Sequence, residues 1–482
     1  MADPVPHAST HAPRVVLIST YDLGHQPFGL ASPAAWLRAE GAEVTCLDLA
    51  VGPLSEPAVR DADMVALFAP MHTATRMVTA VLPRIRQLNP AAHICVYGLY
   101  APMNSDHLLE RGADSIIGGE FEEPLRQLLR SLRPGLRPAS AAGPPAISLE
   151  RQQFVVPDRG GLPALAEYAG LELPDGQRKV SGYTEATRGC KHLCRHCPVV
   201  PVYGGRFRVV QADTVAADIA QQVAAGATHI TFGDPDFFNA PGHSMRVVQQ
   251  LHRSFPALTY DVTIKIEHLV RYARYLPDLR ETGCVLVTSA VEAFDEKILR
   301  IFDKHHTLAD FEQATQLLRD NSIPLNPTFV AFTPWTTAEL YAEFLMTIHR
   351  LALVGNVAPV QYAIRLLIPS GSKLLELPET RDYLRGFDPE ALCYRWEHPD
   401  PAMDELQADL LAMVAGAADG SRGREETFEQ IRTRALPVTA EPQRRQLAGL
   451  AQPDVVRIPQ MSEPWYCCAE PLELTTSPAE RF

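Results

Sequence analysis

Three cysteines, Cys190, Cys194 and Cys197, lie in the run Thr187-Arg-Gly-Cys-Lys-His-Leu-Cys-Arg-His-Cys-Pro198, with CxxxCxxC spacing. Structural zinc usually takes four ligands, commonly from paired CxxC motifs. An ordinary four-iron cluster also takes four cysteines. Three thiolates on one short loop hold a [4Fe–4S] cluster and leave one iron open to a substrate or cofactor. The alternative is a zinc site that borrows a distant Cys or His as its fourth ligand. A second thiol group, Cys467 and Cys468, follows two aromatic residues in Trp465-Tyr-Cys-Cys-Ala-Glu-Pro471. A vicinal disulfide is strained and easily reduced, so this pair reads as a redox couple, a nucleophile or hydrogen donor, or part of a further metal site. Cys46, Cys95 and Cys284 lie within apolar runs and read as inert core residues.

The elements that must position these groups follow from the hydrophobic pattern. A chain of 482 residues, 46% hydrophobic, has length for two to four domains. Residues 1–13 read as a disordered lead-in. Over 14–133, continuous apolar runs alternate with helical periodicity, which predicts a doubly wound parallel sheet with its ligand site at the carboxyl ends of the strands. A Pro-, Gly- and Ser-rich stretch opens a linker over 134–179. Six strand–helix units then span 180–375, with strands expected at 181–187, 228–232, 259–264, 284–290, 326–332 and 360–366. That order predicts a partial (β/α)6 barrel, with its chemistry at the carboxyl ends of the strands, where the cysteine loop lies. A charged helical extension is expected over 376–435 and an irregular tail over 436–482.

The bulk numbers narrow the function. A formal net charge of −13 gives no long-range attraction to nucleic acid, so such a partner is not favoured. No window approaches 18 uninterrupted apolar residues, so no membrane span is expected. No leader of the charged–apolar–small type is read at the amino terminus. Nine cysteines in a long chain, three of them at cluster spacing, point to a reducing cytoplasm. Oligomeric state is not readable from the sequence.

The cysteine loop resembles the signature of the radical S-adenosylmethionine (radical SAM) superfamily. The resemblance implies an open iron chelated by SAM, which is cleaved reductively to a 5′-deoxyadenosyl radical, with an electron donor such as flavodoxin or ferredoxin. It maps Asp234 and Asp236, in Thr231-Phe-Gly-Asp-Pro-Asp-Phe237, near the methionine end of SAM; the alternative is an Asp-Pro turn with a helix cap. It maps Glu292, in Thr288-Ser-Ala-Val-Glu292, onto a SAM-contacting glutamate, against a helix-start carboxylate. Asp303-Lys-His-His-Thr307 resembles a structural turn of the family. Arg365 either faces the barrel and binds a carboxylate or pairs with a barrel acid. Lys265, Glu267 and His268 end the third strand and are candidates to point at substrate.

The first domain resembles the cobalamin-binding-like domain that precedes many radical SAM domains, through Pro27–Arg38 and Gly118-Gly-Glu120. This admits cobalamin as an additional cofactor. The family's DxHxxG motif is not present: Asp22-Leu-Gly-His25 with Gly29 is the nearest run, each spacing one residue too long. Gly98-Leu-Tyr-Ala-Pro102 also stands where a glycine pair is usual. The end of the chain resembles radical SAM proteins with a CCAEP or CUAEP tail, U being selenocysteine, and this aligns Cys468 with the selenocysteine. The expected function is therefore radical SAM chemistry on an unknown substrate. The alternatives are cobalamin-dependent radical methylation and a non-catalytic iron–sulfur redox protein.

Overall fold

The computed structural model describes residues 12–132, 146–415 and 423–463. They form two compact units that divide after Pro163. In the first unit the strands are β1 (Arg14–Ser19), β2 (Glu43–Asp48), β3 (Met64–Phe68), β4 (His93–Tyr97), β5 (Ser115–Gly119) and β6 (Ala146–Ser148). They pair in the order β2-β1-β3-β4-β5-β6, and every pairing is parallel. All five residues of β3 and of β4 are buried. That is why these strands read as unbroken apolar runs rather than alternating ones. One face packs Val65, Leu67, Ile94 and Val96 against Val78, Leu82 and Ile85 of the helix His72–Leu88. The other packs Ala66, Cys95 and Tyr97 against Leu30, Leu37 and Leu125. The strand β6 falls inside the expected linker and extends the first sheet instead.

A partly buried ion pair ties this unit together. Arg86 Nη2 lies 2.5 Å from the Asp114 carboxylate and donates to the Gly112 carbonyl, while Nη1 donates to the Ala92 carbonyl at 2.8 Å. Asp114 in turn accepts from the Ile94 amide at 2.8 Å. One guanidinium thus joins the end of a helix to the starts of β4 and β5.

The second unit contains β7 (Gly170–Glu172), β8 (Arg178–Thr184), β9 (Thr187–Gly189), β10 (Phe207–Val209), β11 (His229–Phe232), β12 (Thr259–Thr263), β13 (Cys284–Glu292) and β14 (Leu325–Phe329). After them come β15 (Leu384–Asp388), β16 (Cys393–Trp396) and β17 (Gln460–Met461). The main sheet runs β14-β13-β12-β11-β8-β7-β17 and curls into a partial barrel. The five strands from β14 to β8 are parallel, and β7 and β17 add to that sheet antiparallel. The outward face is apolar: Tyr260 bonds to the Leu279 carbonyl of a flanking helix, and Phe329 meets Phe311 and Phe344 edge to face. The register lines Tyr183, Thr231 and Asp261 in one row of the other face and Thr263, Thr288 and Asn326 in the next. That face is polar, with Thr231 donating to Asp261 at 2.7 Å and Asn326 to Thr288 at 3.1 Å.

Two expectations need correction. The sixth strand, expected at 360–366, is a 3-10 turn over Pro359–Tyr362, and only a single bridge joins Phe332 to Arg365. Pro359 has no amide hydrogen to place in a ladder, and the Gln361 side chain accepts from the Phe329 amide at 2.8 Å where a neighbouring strand would. The extension is not wholly helical. An antiparallel hairpin, β15–β16, precedes the helices Pro401–Ala415 and Arg424–Ala435, with Phe387 and Tyr394 paired across it at 5.3 Å. Such cross-strand aromatic pairs stabilise hairpins.

Replacing Arg86 by Met takes the counter-charge from a buried carboxylate and should cost the first unit about 3 kcal/mol. Urea denaturation checks it; an unchanged midpoint would contradict the role given to this pair.

Candidate active site

The cysteine loop follows β9 at the carboxyl end of the parallel strands. Gly189 precedes it with φ 73°, and a Cβ there would meet the Tyr203 ring at 2.3 Å and the Arg206 carbonyl at 2.6 Å. Glycine is therefore required by both conformation and space. Cys190 and Cys194 are buried and Cys197 is partly exposed, and none of the three is in a disulfide. Burial, and then the charge of Asp236, push the Cys190 thiol up to about 11. Iron would have to displace that proton on binding.

The turn after β11 fastens one flank of the loop. Asp234 accepts from the Ala186 amide at 2.9 Å and the Thr187 hydroxyl at 2.5 Å, and burial pushes its carboxyl up to about 7. Asn239 Oδ1 lies 3.7 Å from Cys190 Sγ and accepts from the Lys191 amide, while its Nδ2 donates to the Gly189 carbonyl. Asp236 is wholly buried. Its Oδ2 lies 2.5 Å from His268 Nδ1 and 3.3 Å from His192 Nε2. Burial opposes its charge, but the two imidazoles hold the carboxyl below its ordinary range.

The segment after β13 fastens the other flank. Arg195 donates from its amide to the Phe302 carbonyl and from its guanidinium to the Arg300 and Ile301 carbonyls. It thereby satisfies the carbonyl end of the helix Glu296–Phe302. His196 stacks on Phe302 and bonds Glu292 Oε1 at 3.0 Å; Lys304 Nζ reaches the same oxygen at 3.2 Å. Burial opposes ionisation of Glu292, yet Lys304 and His196 bring its carboxyl down to about 2. Glu292 has φ 72° at a bulge between Ala290 and itself. This left-handed backbone costs on the order of 1–3 kcal/mol in a non-glycine residue and must be held by its surroundings.

The donor set fits a four-iron cluster. Three thiols share one loop whose fastenings come from protein groups, and Lys265 Nζ already stands 3.8 Å from Cys194 Sγ. Asp234, Asp236 and Glu292 meet around the loop. Arg365 does not act there: its guanidinium is taken by Asp404 at 2.6 Å and the Trp396 carbonyl at 2.7 Å, and lies over the Trp396 ring. It fastens the last barrel segment to the extension. His192, His196 and Asn239 were not singled out from the sequence, and Lys304 stood only within the run read as a structural turn; side-chain pairing across loops leaves no periodic signal, though both histidines sit inside the cysteine run. Cys467 and Cys468 lie outside the described residues.

In the first unit, the carboxyl end of the sheet carries an apolar pad of Tyr21, Met71, Ala74, Met77 and Tyr100. His25 closes a turn by donating its amide to the Asp22 carbonyl at 2.9 Å.

His306 is buried. Burial, and then Lys304 and Lys265, hold its imidazole down to about 4, with Glu292 acting the other way. An unfolded histidine takes its proton near pH ~6.5. Between these values the unfolded chain binds the extra proton, so stability falls as pH drops through this window. His306→Gln should make that acid-side fall shallower in thermal melts at pH 7, 6 and 5; an unchanged slope would exclude the effect.

Comparison with known proteins gives two domain matches: the radical SAM superfamily over residues 184–344 and a B12-binding domain over residues 13–129. An anaerobic magnesium-protoporphyrin IX monomethyl ester cyclase from Rubrivivax gelatinosus is 22% identical over 348 residues, 66% of this chain. The chain spans 60% of the length of that relative. The radical S-adenosylmethionine methyltransferase TsrM from Kitasatospora setae, with tryptophan and a SAM analogue bound, superposes with a TM-score of 0.65 at 17% identity, covering 83% of this chain and 89% of its own. The cobalamin-dependent S-adenosylmethionine radical enzyme OxsB with aqua-cobalamin bound gives 0.68 at 13% identity, covering 90% and 72%. These likenesses establish the fold, and the two domain matches establish its parts: the chain carries a B12-binding domain followed by a radical SAM domain.

Proposed function

We propose that the chain is a radical SAM enzyme, with Cys190, Cys194 and Cys197 holding a [4Fe–4S] cluster beside a binding site for S-adenosylmethionine. When bound, these groups supply the reductive cleavage of the sulfonium to a 5′-deoxyadenosyl radical that takes hydrogen from a substrate. The observation that carries the reading is the three-cysteine loop at the carboxyl end of the parallel strands, fastened on both flanks. Glu292 Oε2 is buried with no hydrogen-bond partner among the described residues, and is the oxygen left to accept from SAM. Asp236 orients His192 and His268 beside the loop, and Asp234 holds the loop's entry. A low-potential flavodoxin or ferredoxin is the electron donor in this reading, and the free thiols suit a cytoplasmic setting. No helix among the described residues is long and apolar enough to cross a membrane.

The B12-binding match favours a second reading, cobalamin-dependent radical methylation. The Cys467–Cys468 pair is assigned a redox or nucleophilic part in the later chemistry, with Cys468 as the reacting thiol, as the resemblance of the tail implies.

Anaerobic reconstitution with iron and sulfide, then SAM and a strong reductant, should yield 5′-deoxyadenosine, and Cys194→Ala should abolish it. Zinc in place of iron and sulfide would overturn the reading. Corrinoid absorbance retained after loading with cobalamin would favour methylation, whereas full turnover without any corrinoid would remove it. Cys468→Ser should still cleave SAM yet lose product; wild-type product formation would exclude a chemical role for that thiol.

A further inference from the structure

Lys265 places a buried cation beside the cysteine loop of the second unit. It follows β12, is 6% exposed, and begins the turn into the helix Ile266–Arg271. A lysine this buried usually has a carboxylate against it. Here, among the described residues, the nearest acid is Glu267, with Oε2 at 3.8 Å. Nζ lies equally close to Cys194 Sγ, also at 3.8 Å, so its charge is shared between that carboxylate and one thiol. The neighbouring acids are engaged elsewhere: Asp236 lies against His192 and His268 and also accepts from the Lys265 amide, and Glu292 is held by Lys304 and His196. The backbone of Lys265 is thus anchored to the turn that fastens the cysteine loop, while its ammonium is left beside one thiol.

We propose that Lys265 is a positioning residue for the iron–sulfur cluster: its ammonium donates an N–H···S hydrogen bond to the Cys194 thiolate and sets the cluster's reduction potential. This rests on the radical SAM reading above. A cluster held by three thiolates is anionic and gains a further negative charge on reduction. A cation against one ligating sulfur stabilises the reduced form more than the oxidised form. Hydrogen bonds to sulfur and local charge are among the main determinants of such potentials. The buried site, with little water to screen it, keeps the effect large. Lys265 therefore makes the cluster easier to reduce, which brings it closer to a biological donor.

The test is a redox titration of the reconstituted full chain, without SAM, followed by the EPR signal of the reduced cluster. Lys265→Met should assemble the cluster, with iron and sulfide per chain as in the wild type, and shift its midpoint to a more negative potential. Lys265→Arg, which keeps charge and donors, should restore most of the shift. Should the Met variant lose its cluster, Lys265→Gln, a neutral donor, should give a smaller shift in the same direction. An unchanged midpoint in cluster-loaded Lys265→Met overturns the proposal. If that variant instead binds SAM more weakly at an unchanged midpoint, Lys265 is a SAM contact and the proposal is equally overturned. A wild-type chain that assembles no cluster would sink the radical SAM reading itself.

Discussion

The second unit depends on a two-sided hydrogen-bond clamp on the loop from Cys190 to Cys197. On one side Asp234 and Asn239 grip the residues that enter the loop. On the other, Arg195 and His196 bind the carbonyl end of a helix and the Glu292 carboxylate. A loop of three thiols has no regular structure of its own to fix it. Its precision is borrowed from two barrel strands, β11 and β13, that are not adjacent to each other in the sheet. The curl of the sheet allows both to reach the same loop.

Two carboxylates in one turn illustrate how surroundings assign roles. Asp234 receives an amide and a hydroxyl, neither charged, and burial leaves its carboxyl near neutrality. Asp236, two residues on, faces two imidazoles and keeps its charge. Glu292 resembles Asp236 in this respect, facing Lys304 and His196. The site is thus a patchwork of compensated charges, with Lys265 as the cation placed between Glu267 and a loop thiol.

Much of this was legible in the sequence. Continuous apolar runs marked the first sheet because its strands are covered on both faces. Cysteine spacing marked the loop because cluster ligation needs those intervals. Asp234, Asp236 and Glu292 were marked by the resemblance to the radical SAM family, which places them after β11 and at the end of β13. The partners were not legible, because Asn239, His196 and Lys304 meet the loop through tertiary contacts that no local pattern records. Arg365 was misleading for a related reason. An arginine at a strand end looks the same whether its counter-charge is a ligand or, as here, Asp404 on a helix far along the chain. The sixth strand failed because a side-chain amide can replace a ladder hydrogen bond, as Gln361 does.

The clamp also couples its two flanks. Asp234 and Asn239 hold the entry to the loop, and Arg195 and His196 hold its far half, with the three cysteines strung between. A shift at the end of either β11 or β13 is therefore handed to the thiols, so the spacing of the three sulfurs is a property of the sheet as much as of the loop.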